Sequence, residues 1–437
     1  MSPTPPVNGP QVYLLDRASG AVLTLSARPD GVPGNRSSNR PSMDASGTRV
    51  VFESRSSDLV PGDTNNTWDV FLWEQGVPGL RRLSVAASGV EGNGTSFFPK
   101  ISADGRSVLF LTAATNLYPV PGGLGDLVLV RDLQTGALEC VSVDSQGLPI
   151  TSGSLVPRSI SGDGRFVCFD SDASNLVAND QNRASDVFVR DRLLGITTRV
   201  SEDTGGVEGD APSTLGQISR DGRYVSFASD ATNWRWGIAG SGQVYRRDLQ
   251  TGTTEIVSAD AFGVPGNRVG RFSAISADGS VVAFVSAASN LVPDDRNGWV
   301  EDIFVRDMSC PSISAAYELA CPGSNGIPPL LYLAGCPARG RDVLLWLRGT
   351  LPYAPALLLF GRTRGNLSLG GGCALLVDQP FGVALPLATD AGGVGSLGFR
   401  IPPLSSLVGD LTLQAIVLDP GLPQLLSSTR GIDVRIR

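Results

Sequence analysis

A short landmark returns along this chain at nearly constant intervals, and no other feature restricts the fold as tightly. It reads "DASG" ending at Gly47, then "SADG", "SGDG", "SRDG" and "SADG" ending at Gly105, Gly164, Gly222 and Gly279. The steps between those glycines are 58, 59, 58 and 57 residues. Each copy is followed by an alternating strand with Val and Phe on one face: Val50/Phe52, Val108/Phe110, Val167/Phe169, Val225/Phe227 and Val282/Phe284. Asp-Gly supplies the tight turn into that strand from a short one before it. A third strand follows ("DVFLWE" from Asp69, "DVFVRD" from Asp186, "DIFVRD" from Asp302), then a turn such as "LQTG" and a fourth strand. A linker reading "GVPGN" or a variant leads to the next copy, at Gly31, Gly89, Gly147, Gly206 and Gly263. Four antiparallel strands per repeat, joined head to tail, predict an all-β chain built as a β-propeller, because such a unit buries its faces only against neighbours.

Third strands outnumber landmarks. "QVYLLDRASGAVLTLS" from Gln11 adds a sixth. Residues 1–308 are therefore expected to hold six blades, the first incomplete, with its first two strands upstream of Met1. Five blades closed by an N-terminal strand is the alternative. The pattern "SxDG..VxF…DVFVRD..TG...VS", over residues 11–308, resembles the TolB-type, WD-repeat-like propeller of bacterial exported proteins. That resemblance implies the fold and an extracellular, cell-surface or periplasmic location, although no secretion signal follows Met1. It names no activity.

After Met308 the composition changes. Short apolar runs ("PLLYLAG", "DVLLWLRG", "ALLLFG", "LTLQAIVLD") separated by Gly, Pro and Asp predict a β-sandwich over residues 309–437. The pattern "CPGSNGIPPL…GCALLVD…IPPLSSLVGDLTLQAIVLDP", in residues 319–437, resembles an uncharacterised domain of large extracellular planctomycete-type proteins. Four of the six cysteines lie in or just before this part. The matched segments hold Cys321 and Cys373, which the resemblance makes the first expected disulfide, with Cys310 and Cys336 a second; buried thiols throughout is the competing reading. Cys140 and Cys168, on blade strands, are expected as small buried side chains. No Cys-x-x-Cys is present, which disfavours a four-cysteine zinc site.

Charge and composition narrow the function. The net charge is −7, from 35 basic and 42 acidic residues. Nine Arg face seven acids from residue 311 onward, leaving −9 on the first 310 residues. An acidic body without a basic cluster argues against nucleic acid and anionic membranes. The longest apolar runs are too short for a membrane span. Lys100 is the only lysine, a usage that a GC-rich genome explains. The chain has no histidine, which removes Ser-His-Asp triads, Cys-His pairs and imidazole zinc sites.

Two features invite a functional reading. The loop before the third strand carries Asp63/Asn65/Asp69, Asp180/Asn182/Asp186 and, one residue longer, Asp295/Asn297/Asp302. Side-chain oxygens so spaced would supply part of a calcium shell; the competing reading is turn formation by Asx side chains, with no cofactor. Both this loop and the linker are expected on one rim. One blade replaces the motif with "TNWRWG", placing Trp234, Arg235 and Trp236 there as a patch for a protein or glycan partner; the alternative is that the indoles cover the blade edge. The chain thus reads as a non-catalytic exported binding protein. Its rival is a propeller hydrolase or lyase acting on polysaccharide through channel carboxylates.

Overall fold

The computed structural model describes residues 9–436 apart from 120–124, 151, 235–241, 261–262, 293–298, 310–314, 318–323, 325–328, 335–341, 349, 362–363, 371–372, 378–382, 392, 401–408, 423–425 and 430. The described residues form strands and turns without a helix, and no helix is long and apolar enough to cross a membrane. The chain divides into two compact units. One comprises Met1–Val257, Arg268–Ala287 and Glu301–Val305; the other comprises Ser258–Asn267, Ala288–Val300 and Arg306–Arg437.

The repeat folds as successive antiparallel meanders, the propeller architecture. Sheet 1 has two strands, Tyr13–Leu15 and Val22–Thr24. Sheet 2 has four: Ser38–Met43, Arg49–Ser54, Asp69–Glu74 and Arg81–Arg82. Sheet 3 follows the same plan (Ser96–Ile101, Ser107–Thr112, Leu127–Asp132, Leu138–Cys140), as do sheet 4 (Leu155–Ile160, Phe166–Ser171, Asp186–Asp191, Ile196–Arg199) and sheet 5 (Ser213–Ile218, Tyr224–Ser229, Gln243–Asp248, Thr254–Ile256). Sheet 6 has three: Gly270–Ile275, Val281–Ser286 and Asp302–Asp307.

The landmark has a local cause. In sheet 3 the Ser102 hydroxyl donates to Asp104 at 2.5 Å and accepts the Ser107 N–H at 2.9 Å, while Asp104 accepts the Arg106 N–H at 2.9 Å. Ser161 and Asp163 repeat the arrangement in sheet 4. The glycine that follows has φ between 70° and 75° in all five copies, where a Cβ would be strained.

Packing between sheets follows from the Val/Phe alternation. Val51, Val70 and Leu72 of sheet 2 share a buried cluster with Val108, Phe110 and Leu129 of sheet 3. On the far side of sheet 3, Leu109, Leu111, Val128 and Val130 meet Val167, Phe169 and Phe188 of sheet 4. Sheet 3 therefore has a backward face carrying Phe110 and a forward face of aliphatic residues, whereas the forward face of sheet 5 includes Ser226 and Arg246. The first strands of neighbouring sheets lie against one another, so they form the inner side of the array.

In the second unit, a sheet containing Pro355–Gly361, Val383–Ala388 and Gly409–Leu418 and another of Leu330–Ala334, Asp342–Arg348 and Gly395–Arg400 contribute to one apolar core. Leu345 and Leu347 from the latter join Leu358, Leu413, Ala415 and Val417 from the former.

Candidate functional site

The loop motif and the linker do meet on one rim, and they bring together more than the loop sequence announces. In sheet 2 the Asn65 amide donates to Asp69 at 3.1 Å and to the Gly92 carbonyl of the linker at 2.9 Å, while its carbonyl accepts the Thr67 N–H at 2.9 Å. Asp69 also accepts a hydrogen bond from the Ser84 hydroxyl. Glu91, from the linker variant "GVEGN", accepts the Thr64 N–H at 3.0 Å and its hydroxyl at 2.7 Å. Arg82, at the end of the fourth strand, pairs with Glu91 and stands 3.6 Å from Asp63 and 3.7 Å from Asp69.

Sheet 4 repeats this construction. Asn182 donates to Asp186 and Gly209 at 3.0 Å each and accepts the Ala184 N–H at 2.7 Å. The Ser201 hydroxyl donates to Asp186 at 2.5 Å. Glu208 of "GVEGD" takes the place of Glu91, and Arg199 pairs with it. Both clusters place three carboxylates with one oxygen each inside a span of 4.8 Å: Asp63, Asp69 and Glu91, and Asp180, Asp186 and Glu208.

The electrostatics follow from burial beside like charge. Burial and then the Asp69 charge push Asp63 up to about 6, with Arg82 opposing. Burial pushes Asp186 up to about 6 against the pull of Ser201, Arg199 and Asn182. Burial also raises Glu91, but the Thr64 and Arg82 contacts outweigh it and hold that group below the usual range. Turn formation accounts for the two asparagines. It does not account for Asp63 and Asp180: among the described residues neither caps a backbone N–H, and Asp63 Oδ1 and Asp180 Oδ2 are buried without a hydrogen bond.

A second cluster lies on the inner strands. Arg40 pairs with Glu53 at 2.7 Å and lies over the Phe98 ring, 4.2 Å from its centroid. Glu53 in turn accepts the Phe98 N–H at 2.8 Å. Arg158 pairs with Asp170 at 2.5 Å, and Asp170 accepts the Leu215 N–H at 2.8 Å. Phe98 and Leu215 are bulge residues with φ of 57° and 63°, so a carboxylate from the preceding sheet holds each strained turn of chain. The acid is not present in every repeat: Ala228 of sheet 5 takes its place before the Phe272 bulge. In sheet 3 the equivalent of those acids is Leu111, and the bulge it faces in sheet 4 is at Pro157, which has no N–H to satisfy. Lys100 lies among these groups; burial, then Arg40 and Arg158, push its pKa down, with Glu53 opposing.

Several sequence expectations need restating. Trp234 is not exposed as part of a partner-binding patch; it folds back as a cover, in line with the alternative reading. It is 4 % exposed, packs edge-on against Phe227 and Tyr245 at 6.2 and 5.1 Å, and donates its indole N–H to the Val207 carbonyl at 3.1 Å. An indole beside an apolar sheet face gains more from burial than from exposure. Arg235 and Trp236 lie outside the described residues, as do Asp295 and Asn297; Asp302 opens the third strand of sheet 6. Cys310, Cys321 and Cys336 are also outside them, and the description of Cys373 extends only to its place in the strand Cys373–Val377. Cys140 and Cys168 are free and buried.

Glu91, Glu208, Arg82 and Arg199 were not singled out in the sequence, although a signal exists. Where sheets 2 and 4 have Asp, Arg and Glu, sheet 3 has Leu127, Cys140 and Pro149, and sheet 5 has Gln243, Ile256 and Pro265. Across sheets 2 to 5 the charged set is kept or lost as a whole.

No protein-family model and no curated protein matches the chain. Solved structures similar to it include a putative TolB from Agrobacterium tumefaciens, with a TM-score of 0.38 and 13% identity over 90% of this chain and 98% of that one. The Dos1 propeller gives 0.31 and 12% over 83% and 95%. A structure from a study of two prolyl endopeptidases gives 0.36 and 12% over 91% and 50%. Likeness at this level carries no functional argument.

Proposed function

We propose that the protein is a non-catalytic, exported propeller that binds an acidic partner, foremost an anionic glycan, along the inner strands of sheets 2 to 4. The observation that supports this is Lys100. It lies among Arg40 and Arg158, and among the described residues its ammonium has no hydrogen-bond or ion-pair partner, whereas both guanidiniums have carboxylates. A half-buried ammonium beside two guanidiniums has room for a further anion, and a carboxylate or sulfate of a sugar chain would supply one.

The polysaccharide hydrolase or lyase reading would draw on the acids nearest this cluster, Glu53 and Asp170. Both hold an arginine and a bulge N–H, and a carboxylate so tied is poorly placed to shuttle protons. Calorimetric titration with an oligogalacturonate and with a neutral oligosaccharide of equal length tests the reading. Only the acidic chain should bind, salt should weaken it, and Lys100→Ala should cost about tenfold in affinity, the order expected for a charged hydrogen bond. Equal binding of both sugars, or release of reducing ends on incubation, would replace this reading.

A further inference from the structure

We infer that the rim clusters of sheets 2 and 4 are a pair of binding sites for a hard divalent cation of calcium's size. The ligands would be Asp63, Asp69 and Glu91 in one, and Asp180, Asp186 and Glu208 in the other, with water completing the shell. Three observations converge on this. The carboxylate oxygens of each set lie within 4.8 Å of one another, a span compatible with metal–oxygen distances of about 2.3–2.6 Å. The Asp63 side chain is only 2 % exposed, and among the described residues its Oδ1 accepts no hydrogen bond, with the Arg82 guanidinium 3.6 Å away; Asp180 Oδ2 is likewise buried without a hydrogen bond. A buried anionic oxygen without a proton donor is costly, and finding the same omission twice points to a missing partner rather than to an accident of one loop. The third observation is the repeat comparison. Sheets 3 and 5 lose the acids and the arginine together, as a ligand set and its counter-ion would.

Charge supports the same conclusion. Each cluster sets three carboxylates against one guanidinium, leaving two negative charges if all ionise. Arg82 is committed chiefly to Glu91 and stands beyond hydrogen-bonding range of Asp63 and Asp69. A divalent cation would cancel the remainder. The flanking hydrogen bonds from Asn65, Ser84, Asn182 and Ser201 each go to the strand aspartate and hold it in place without occupying Asp63 or Asp180.

The full chain, stripped with EDTA and dialysed, should take up two equivalents of calcium by isothermal titration, and its melting temperature should rise by several degrees. Asp63→Asn and Asp180→Asn should each remove one equivalent, and the double variant both. Terbium offers a second readout that does not depend on stability. Trp68, adjacent to Asp69, should sensitise terbium emission at the first site and Trp234, bonded to Val207 beside Glu208, at the second, so Asp63→Asn and Asp180→Asn should each remove part of the signal and the double variant all of it. Arg82→Gln separates this inference from a purely structural ion network. It should destabilise the calcium-free protein yet bind calcium more tightly and recover stability with it. No calcium heat and no melting shift in the wild-type chain, undiminished uptake in the double variant, an equal response to magnesium, or an Arg82→Gln protein that calcium fails to rescue would each overturn the assignment.

Discussion

Single side chains here carry loads that their residue type alone does not disclose. Trp234 is the clearest case, since it fills the space between the backward face of sheet 5 and its own loop. Trp234→Ala should lower unfolding stability by about 3–5 kcal/mol, the usual cost of removing a large buried side chain, as read from urea midpoints at constant slope. Asp170 is another. It is buried, neutralises Arg158 and holds the strained Leu215 N–H, so Asp170→Asn should cost about 3 kcal/mol. The same exchange at the exposed Asp30, a turn position, should fall within about 0.5 kcal/mol. Matched urea curves of the two variants would check the contrast, and equal losses would remove Asp170 from this role.

At the scale of strands and turns, one device recurs. Asp132, Asp191 and Asp248 close their third strands, each accepting two N–H groups of the following turn and pairing with Arg106, Arg165 and Arg223. Burial raises all three, but these hydrogen bonds and arginines outweigh it, so each folded-state pKa lies below the ordinary 3.8. A carboxylate depressed on folding adds stability above its unfolded value and loses it as pH falls through the folded one. Stability should therefore decline as pH drops below about 4, and Asp191→Asn should make that decline shallower in urea melts between pH 5 and 2.5. Elements of this kind were legible from the sequence, because Ser-x-Asp-Gly and the Asp-to-Gly turn determine their own geometry within a few residues. The rim clusters were half legible. Asp63, Asn65 and Asp69 are close in sequence, but Glu91 reaches them from the linker, and only the exchange of Pro for Glu in the same repeats that carry Arg82 or Arg199 hints at it. Trp234 was left open between an outward patch and a cover, because an aromatic in a loop looks the same in sequence whether it points outward or folds back. The Glu53–Phe98 contact joins two repeats and leaves no local trace.

Across the whole array, equivalent positions have unequal surroundings. Val187 and Val189 on the forward face of sheet 4 are buried, whereas their counterparts in sheet 6, Ile303 and Val305, are 78% and 69% exposed. At the other end, Tyr13 and Leu15 of sheet 1 are 58% and 57% exposed, although the matching Phe71 is fully buried. Val187→Ala should thus cost about 2–3 kcal/mol, as deletions in a packed core do, while Ile303→Ala should change stability by less than about 0.5 kcal/mol. Ile303→Lys should in addition lower light scattering in concentrated solution, since exposed apolar faces promote association. Comparable destabilisation by both alanine variants would mean that the faces are not distinct. The alternation of rim chemistry has a mechanical consequence. Joints after sheets 2 and 4 are strapped by ions through Glu91 and Glu208, whereas the one after sheet 3 carries Pro149, lacks such a pair and rests on the apolar contacts of Val141 and Ile150 with hydrogen bonds from Arg190 and Thr197. Salt screens the first kind and, if strongly hydrated, tightens the second. Brine would slacken one hinge and stiffen the next, so the array is a ruler with two kinds of joint, whose compliance shifts from place to place with the medium.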